Sequence, residues 1–505
     1  AEAERMTLRE ASAAWRAVLG ATGFTDDPAA LLAAQTATFA TDQQIPAILF
    51  PENREQVAAC LEIAHRFSIP VYPISRGKNW GYGSRVPASS GCVVLSLERM
   101  NRILDFDNDL ATLTVEPGVS FAQVQDFLKK HGAALTLPSP GSTLEASVVG
   151  HVLERGLAVG LEGERAHYIS GLEVLLADGR CIHTGFGQVK GSRVSTVAPD
   201  GVGPDLTGLF LQSNFGVVVS LTIWLTPRPN FSRRVVWSIQ DAAKFPALID
   251  QVRGLLRERL LTATVGLYND YKRLTYLYRH PDAQSLLTRP NFPKEMVASL
   301  QGGVWFGETD LTAPSERIGW AMWDEIERRL KAVAEVHILP QGYGVEDSAS
   351  IDSIYWRKPG TSSSDPDADQ CGVIWICPVV PLRAADVSRA VDCIEHTMLV
   401  SGFEAIIGMQ ILTFRKAVVV ASILYDRVRT GEDEKAMACY VSIQQQLMSL
   451  GYPPYRMGLQ NLMLRLPLEA DTASLIGQIK TLVDPDHILA PGRYQIPDKK
   501  VSPKA

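Results

Sequence analysis

Apolar runs and helical periodicities alternate through the first half of the chain. Ala47-Ile48-Leu49-Phe50, closed by Pro51, predicts a strand. Asn53 to Phe67 comes next, with Val57, Leu61, Ala64 and Phe67 at the spacing of one helix face. Ile69 to Ile74 predicts a second strand, Cys92 to Leu97 and Ala111 to Val115 two more, and Phe121 to His131 a helix. Asp178-Gly179, set between two apolar runs, predicts a hairpin over Leu172 to Thr184. The texture changes at Thr226-Pro227-Arg228-Pro229, whose prolines predict a linker. Beyond it glycines thin out, and an amphipathic helix is expected over Glu316 to Glu335.

The strand ending at Ile74 runs straight into Ser75-Arg76-Gly77-Lys78-Asn79-Trp80-Gly81-Tyr82-Gly83. Glycines, cations and small polar side chains after a strand suit a loop whose backbone N–H groups turn toward a pyrophosphate. It lacks the Gly-Lys-Ser/Thr ending of a Walker loop and the spacing of a nicotinamide-binding fingerprint. Pro138-Ser139-Pro140-Gly141-Ser142-Thr143 and Ser147-Val148-Val149-Gly150-His151 form a second glycine-bearing stretch, with a serine placed to cap a helix. Asp484-Pro485 through Pro491-Gly492-Arg493 closes the chain in the same glycine-punctuated style.

With 505 residues the chain is expected to form two or three domains. Its 46% hydrophobic and 21% charged content is that of a soluble globular protein. A net charge of −6 argues against a nucleic-acid partner. No run approaches the roughly 20 apolar residues of a membrane span. Ala1-Glu2-Ala3-Glu4-Arg5 has no apolar core, so a cytoplasmic location is expected, or a periplasmic one if a leader has already been removed. The seven cysteines show no paired spacing and read as small buried hydrophobes; the nine histidines are scattered, so no metal site is expected.

Four motifs carry a resemblance. Pro73-Ile74-Ser75-x-Gly77-x-Asn79-x-Gly81-Tyr82-Gly83, Glu154-Arg155-Gly156, Gln212-Ser213-Asn214-Phe215-Gly216-Val217-Val218 and Asp484-Pro485-x-x-Ile488-x-Ala490-Pro491-Gly492 occur in order along nearly the whole chain. Together they resemble the vanillyl-alcohol oxidase and para-cresol methylhydroxylase family of FAD-dependent phenol oxidoreductases, which includes eugenol oxidase. The resemblance implies an α+β fold. A two-subdomain FAD-binding domain would occupy residues 1–228, an α+β cap domain 229–452, and a C-terminal segment, 453–505, would return to the first domain. Cofactor contacts are then expected from Ser75, Arg76, Gly77, Lys78, Asn79, Trp80, Gly81, Tyr82 and Gly83. Pro140, Ser142, Ser147, Gly150, His151 and Gly156 would add a second segment, Gly216, Val217 and Val218 a third, and Arg493 a last contact.

For chemistry, the family pattern falls on Tyr82, Tyr455 and Arg456, which would anchor a phenolate while a hydride leaves the benzylic carbon to give a quinone methide. Two departures stand out. The position that tethers flavin through histidine or tyrosine falls on Val373, which implies non-covalent FAD, with a Cys371 thioether as the alternative. The acid beside the reacting flavin atom falls on Ser142, and a family tyrosine on Val159; nearby Glu145, Glu162 and Glu164 read as solvated carboxylates. Glu404, Gln410 and Arg415 fall in a cap region that lines the pocket in relatives. The implied partners are a small aromatic substrate, oxygen or an electron-accepting protein such as a cytochrome, and a second copy in a homodimer. Two further readings stay open: a 2-hydroxy acid or other alcohol dehydrogenase in which Arg456 holds a carboxylate, and a non-catalytic flavoprotein.

Overall fold

A computed structural model describes residues 2–282, 284–340, 351–360, 362–462 and 464–496. Near the N-terminus, Phe24–Thr25, Ile48–Leu49, Val93–Ser96 and Val71–Ile74 form a four-stranded sheet in that order. Val93–Ser96 runs parallel to both of its neighbours. The helix between its second and third strands in the chain, Arg54–Arg66, starts where Asn53 accepts the Gln56 N–H and buries Val57, Leu61 and Ala64. Parallel strands joined by a helix leave their connecting loops at one sheet end, and the glycine loop emerges there after Ile74.

Five antiparallel strands make a second sheet: Ile103–Asp107, Thr112–Val115, Val217–Trp224, Ile169–Leu175 and Cys181–His183. The expected hairpin is its edge, with Gly179 at φ +83° in the turn. Helix Ala470–Val483 packs on this half through Ile476, Ile479 and Val483, and Leu489 pairs with Val71.

An eight-stranded antiparallel sheet takes up the region after residue 230. Its central rows decide the site. Gly266 stands opposite both Glu308 and Gln410, while Gly408 stands opposite both Tyr268 and Val420. Residues directly opposite on neighbouring strands share a face, so these two rows present one polar wall. Val265 and Val419 instead join the apolar core, together with residues of helices Phe245–Arg257, Glu316–Leu330, Ala384–Val400 and Glu432–Ser449.

Two expectations change here. The helix beginning at Glu316 ends at Leu330, and Glu335–Leu339 is a strand paired with Phe231–Ile239. Its Val336 and Ile338 alternate with polar residues, which suits a strand better than a fifth helical turn. The proline stretch is also structured, because Thr226–Pro227 pairs with Leu135–Thr136.

Candidate active site

Two cavities meet beneath the eight-stranded sheet. The first is walled by Ser75, Arg76, Gly77, Lys78 and Asn79 of the glycine loop, by Ser147 and Gly150, by Gly216, Val217 and Val218, and by Arg493. The second contains Trp80, Tyr82, Pro140, Gly156, Val159, Trp375, Cys377, Gln410 and Tyr455. Lys78, Asn79, Ser142, His151 and Arg456 line both, so one elongated ligand can occupy the two. Gly81 and Gly83 line neither. A Cβ on Gly81 (φ +76°) would fall 2.1 Å from Trp375 Cδ1, and one on Gly83 (φ +115°) 2.5 Å from Leu459 Cγ. Both positions let the loop pack against distant parts of the chain.

Local chemistry shapes the first cavity. Ser147 caps helix Val148–Leu153 by accepting the Gly150 N–H, and its own hydroxyl donates to the Pro117 carbonyl at 2.6 Å. A Cβ on Gly150 would lie 3.2 Å from Ser75 Oγ, so a bare backbone lets the two segments approach. Arg76 is tied to Glu145, with Nη2 to Oε2 at 2.9 Å. Asn214 and Leu489 are gripped from behind by the buried Lys480 ammonium, which donates to their carbonyls at 2.8 and 2.9 Å and to Asp484 at 2.6 Å.

Where the cavities meet, Glu154 organises the charges. It pairs with Arg493, accepts from the Tyr494 hydroxyl at 2.5 Å, and lies 3.6 Å from Arg456. Arg493 donates to the Tyr72 hydroxyl at 2.6 Å. Gln212 donates to the carbonyls of Glu154 and Tyr455, joining the third motif to the second and to the Tyr455-Arg456 pair.

The residues expected to anchor a phenolate converge, although Tyr82 lies far along the chain from Tyr455 and Arg456. The Arg456 guanidinium stands 3.9 Å from the Tyr82 ring centroid and donates to Asn79 Oδ1 at 2.6 Å. Tyr82 donates its hydroxyl to Cys377 Sγ at 3.3 Å. Burial, and then Cys377 and Tyr455, push the Tyr82 hydroxyl well above its ordinary range, against the pull of Arg456. Burial likewise raises Tyr455, again against Arg456. Both hydroxyls therefore keep their protons at neutral pH and are available as donors. Burial lowers His151 to about 3, helped by Arg165, so the ring is neutral while Nε2 bonds the Leu157 carbonyl.

Polar groups on these walls wait for a ligand. His151 Nδ1, Asn214 Oδ1, Arg456 Nε and Gln410 Oε1 are buried with no partner among the described residues. Donors and acceptors of this kind, set beside a loop rich in backbone N–H groups, fit a group with a diphosphate and a polar ring system.

Several sequence expectations land elsewhere. Val373 is fully buried, pairs with Leu424 and faces neither cavity; Trp375, two residues on, takes the wall. Cys371 also lies off both walls, whereas Cys377 is on the second. Glu404 is not a pocket residue: it accepts from Arg357, His280 and the Leu287 N–H in a buried network of its own. Arg415 is exposed in the turn between two strands. Glu162 accepts from Thr226, and Glu164 pairs with Lys416. Sequence reasoning missed Glu154 as an organiser, and missed Lys272, Arg273 and Glu308 on the second wall. Only the strand register and helix packing mark these last three. Away from the cavities, Glu173, Cys181 and His183 come within 4.8 Å of one another, with Glu173 also paired to Arg54.

Residues 45–185 match the FAD binding domain family. The chain is 38% identical to 1'-carboxy-chondrochloren decarboxylase of Chondromyces crocatus, covering 96% of this chain and 97% of that protein. It is 27% identical to the flavoprotein subunit of 4-cresol dehydrogenase (hydroxylating) of Pseudomonas putida, over 88% and 86% of the two chains. The fold matches substrate-bound p-cresol methylhydroxylase with a TM-score of 0.88 at 24% identity, covering 97% of each chain. The chain belongs to the vanillyl-alcohol oxidase and p-cresol methylhydroxylase family. Its fold is also that of 4-ethylphenol oxidase from Gulosibacter chungangensis, with a TM-score of 0.87, 22% identity and 98% of each chain covered. As a family member it is an FAD-dependent oxidoreductase. Among the described residues, no helix is long and apolar enough to cross a membrane.

Proposed function

We propose that this flavoenzyme oxidises a para-hydroxyphenyl substrate at the carbon attached to the ring, through a quinone methide. The observation that carries the reading is the meeting of Tyr82, Tyr455 and Arg456 on the second cavity, where it joins the first. A phenol resembling tyrosine has an ordinary pKa of about 10, and each unit by which a site lowers it is worth about 1.4 kcal/mol. Arg456 supplies a fixed positive charge, and two protonated hydroxyls can donate to the same oxygen. Negative charge held there pushes electron density toward the benzylic carbon, which weakens its C–H bond toward hydride loss.

FAD, when bound, supplies the acceptor for that hydride. In this reading residues 1–228 and 453–505 hold the cofactor, with its diphosphate against Ser75 to Asn79 and its ring near Ser142 and His151. Residues 229–452 form the cap. Attachment is non-covalent, since Val373 lies in the core and Trp375 occupies the wall. The electrons pass on to oxygen or to an electron-accepting protein, and the enzyme works as a homodimer.

A second feature concerns the fate of the quinone methide. Ser142 stands where an acid is expected for adding water to it, and a full-length relative is named as the decarboxylase of a carboxylated compound. Loss of carbon dioxide from a neighbouring carboxylate would discharge the quinone methide without an acid at that position. A 2-hydroxy acid reading draws on glycolate oxidase subunit GlcD of Bacillus subtilis, 29% identical over 44% of this chain. That reading leaves the paired tyrosines without a role.

Anaerobic mixing with 4-ethylphenol, vanillyl alcohol, eugenol and para-cresol should bleach the flavin absorbance with at least one of them. Bound FAD that no phenol bleaches, but lactate or glycolate does, would overturn the assignment.

A further inference from the structure

The second cavity holds a cation for which phenol chemistry has no obvious use. Lys272 lies in the first turn of helix Asp270–Leu277, which Asn269 starts by accepting the Lys272 N–H at 3.0 Å. That cap fixes the backbone, and the side chain enters the cavity, leaving the residue only 6% exposed. Its ammonium sits 5.1 Å from the Tyr276 ring centroid and 5.5 Å from that of Trp375.

No carboxylate among the described residues reaches it. Besides burial, which brings the ammonium down to about 8, the Cys377 thiol is the group among the described residues that acts on it. Glu308, the carboxylate on the same wall, acts on Tyr268 and Tyr276 instead. Arg273, next in sequence, lies 5.7 Å from the Phe306 ring centroid. Arg456, by contrast, has Asn79 and Glu154. A buried ammonium that meets, among the described residues, ring faces and a neutral thiol is strongly unfavourable until an anion joins it.

We infer that Lys272 binds a carboxylate carried by the substrate, making the substrate class a para-hydroxyphenyl acid gripped at both ends. This rests on the proposed phenol oxidation. Arg456, Tyr82 and Tyr455 hold the phenol oxygen, and Lys272, from a different element, holds the acid. With the carboxylate on the carbon next to the benzylic one, the phenol loses its proton and the benzylic carbon loses a hydride to the bound FAD. The resulting quinone methide then breaks its C–CO2 bond. That bond's electron pair forms the side-chain double bond and restores the phenolate, and carbon dioxide leaves. The carboxylate keeps its charge through hydride loss, so Lys272 holds the ground state and that transition state alike, and its contribution to that step belongs to KM and not to kcat.

Binding is tested with 4-hydroxycinnamate and 4-hydroxycinnamamide, which have no benzylic hydride to lose, by titrating the oxidised holoenzyme and reading flavin absorbance. The acid should bind about tenfold more tightly than the amide, as expected for a charge-assisted contact. Lys272→Met should bring the ratio to about one by weakening only the acid, and Lys272→Gln should do the same, whereas Lys272→Arg should keep the preference. An unchanged ratio in Lys272→Met, or equal weakening of acid and amide, overturns the inference; the latter would assign Lys272 to the phenolate or the cofactor. Turnover is read separately with 3-(4-hydroxyphenyl)propionate, expected to yield 4-vinylphenol and carbon dioxide. If no phenol bleaches the flavin but the acid preference depends on Lys272, the oxidation reading fails and the carboxylate site stands.

Discussion

The two cavities differ in how they treat charge. In the first, Arg76 meets Glu145, Arg493 meets Glu154 and Ser147 caps its helix, while Asn214 Oδ1 and, at the junction, His151 Nδ1 have no partner among the described residues. In the second, among the described residues, Lys272 has no carboxylate and Gln410 Oε1 and Arg456 Nε have no partner, while the Tyr82 hydroxyl donates to the Cys377 thiol. A cofactor site must be firm before its ligand arrives, so internal pairing serves it. A reaction site gains selectivity by leaving charges for the substrate to complete, at the expense of stability.

The largest effect that tests this contrast is on the cofactor side. Lys480 holds the Asn214 and Leu489 carbonyls and Asp484 together behind the first cavity. Lys480→Met leaves Asp484 buried and uncompensated, and should cost about 3–5 kcal/mol of stability, with loss of FAD on gel filtration. A variant that keeps its melting temperature would show that the wall does not depend on that pair. On the reaction side, Arg456→Ala should lower turnover roughly 100- to 1,000-fold, about 3–4 kcal/mol. Its yellow colour should persist, because Arg493 still neutralises Glu154. Equal loss of colour and turnover would erase the distinction between the cavities at that residue.

The smallest effect is on pH dependence, at the junction. His151 is neutral in the folded protein down to about pH 3, because burial disfavours its charged form. The unfolded chain takes up that proton below roughly pH 6.5, so it binds more protons than the native state and stability falls as the pH drops. Between pH 7 and pH 5 the loss should be roughly 2 kcal/mol, and His151→Gln should flatten that part of the stability profile. An unchanged profile in the variant would place the acid sensitivity elsewhere.

Much of the cofactor side was legible from neighbouring residues in the chain. Asn53 and Ser147 cap the helices they precede, the glycine loop comes directly after its strand, and Asp178-Gly179 turns its hairpin. Each of these depends on contacts within a few residues, which periodicity and turn chemistry report directly. The overlong reading of Glu316 to Glu335 failed for a tertiary reason, since Glu335–Leu339 is drawn into the large sheet by Phe231–Ile239.

The sequence by itself therefore determined the family, the cofactor and the local frame of the first cavity, and it named Tyr82, Tyr455 and Arg456 through the family pattern. Only the tertiary structure decided which side chains line the second cavity. Nothing in the sequence singles out Lys272, and the family pattern places Glu404 in a region that lines the pocket in relatives. Packing reverses both: Lys272 is carried against Trp375 and Tyr276, and Glu404 disappears into a network with Arg357 and His280. Burial and partnership are properties of the assembled sheet and helices. No stretch of chain expresses them alone, because groups that bury or pair with a residue come from segments far away along the chain.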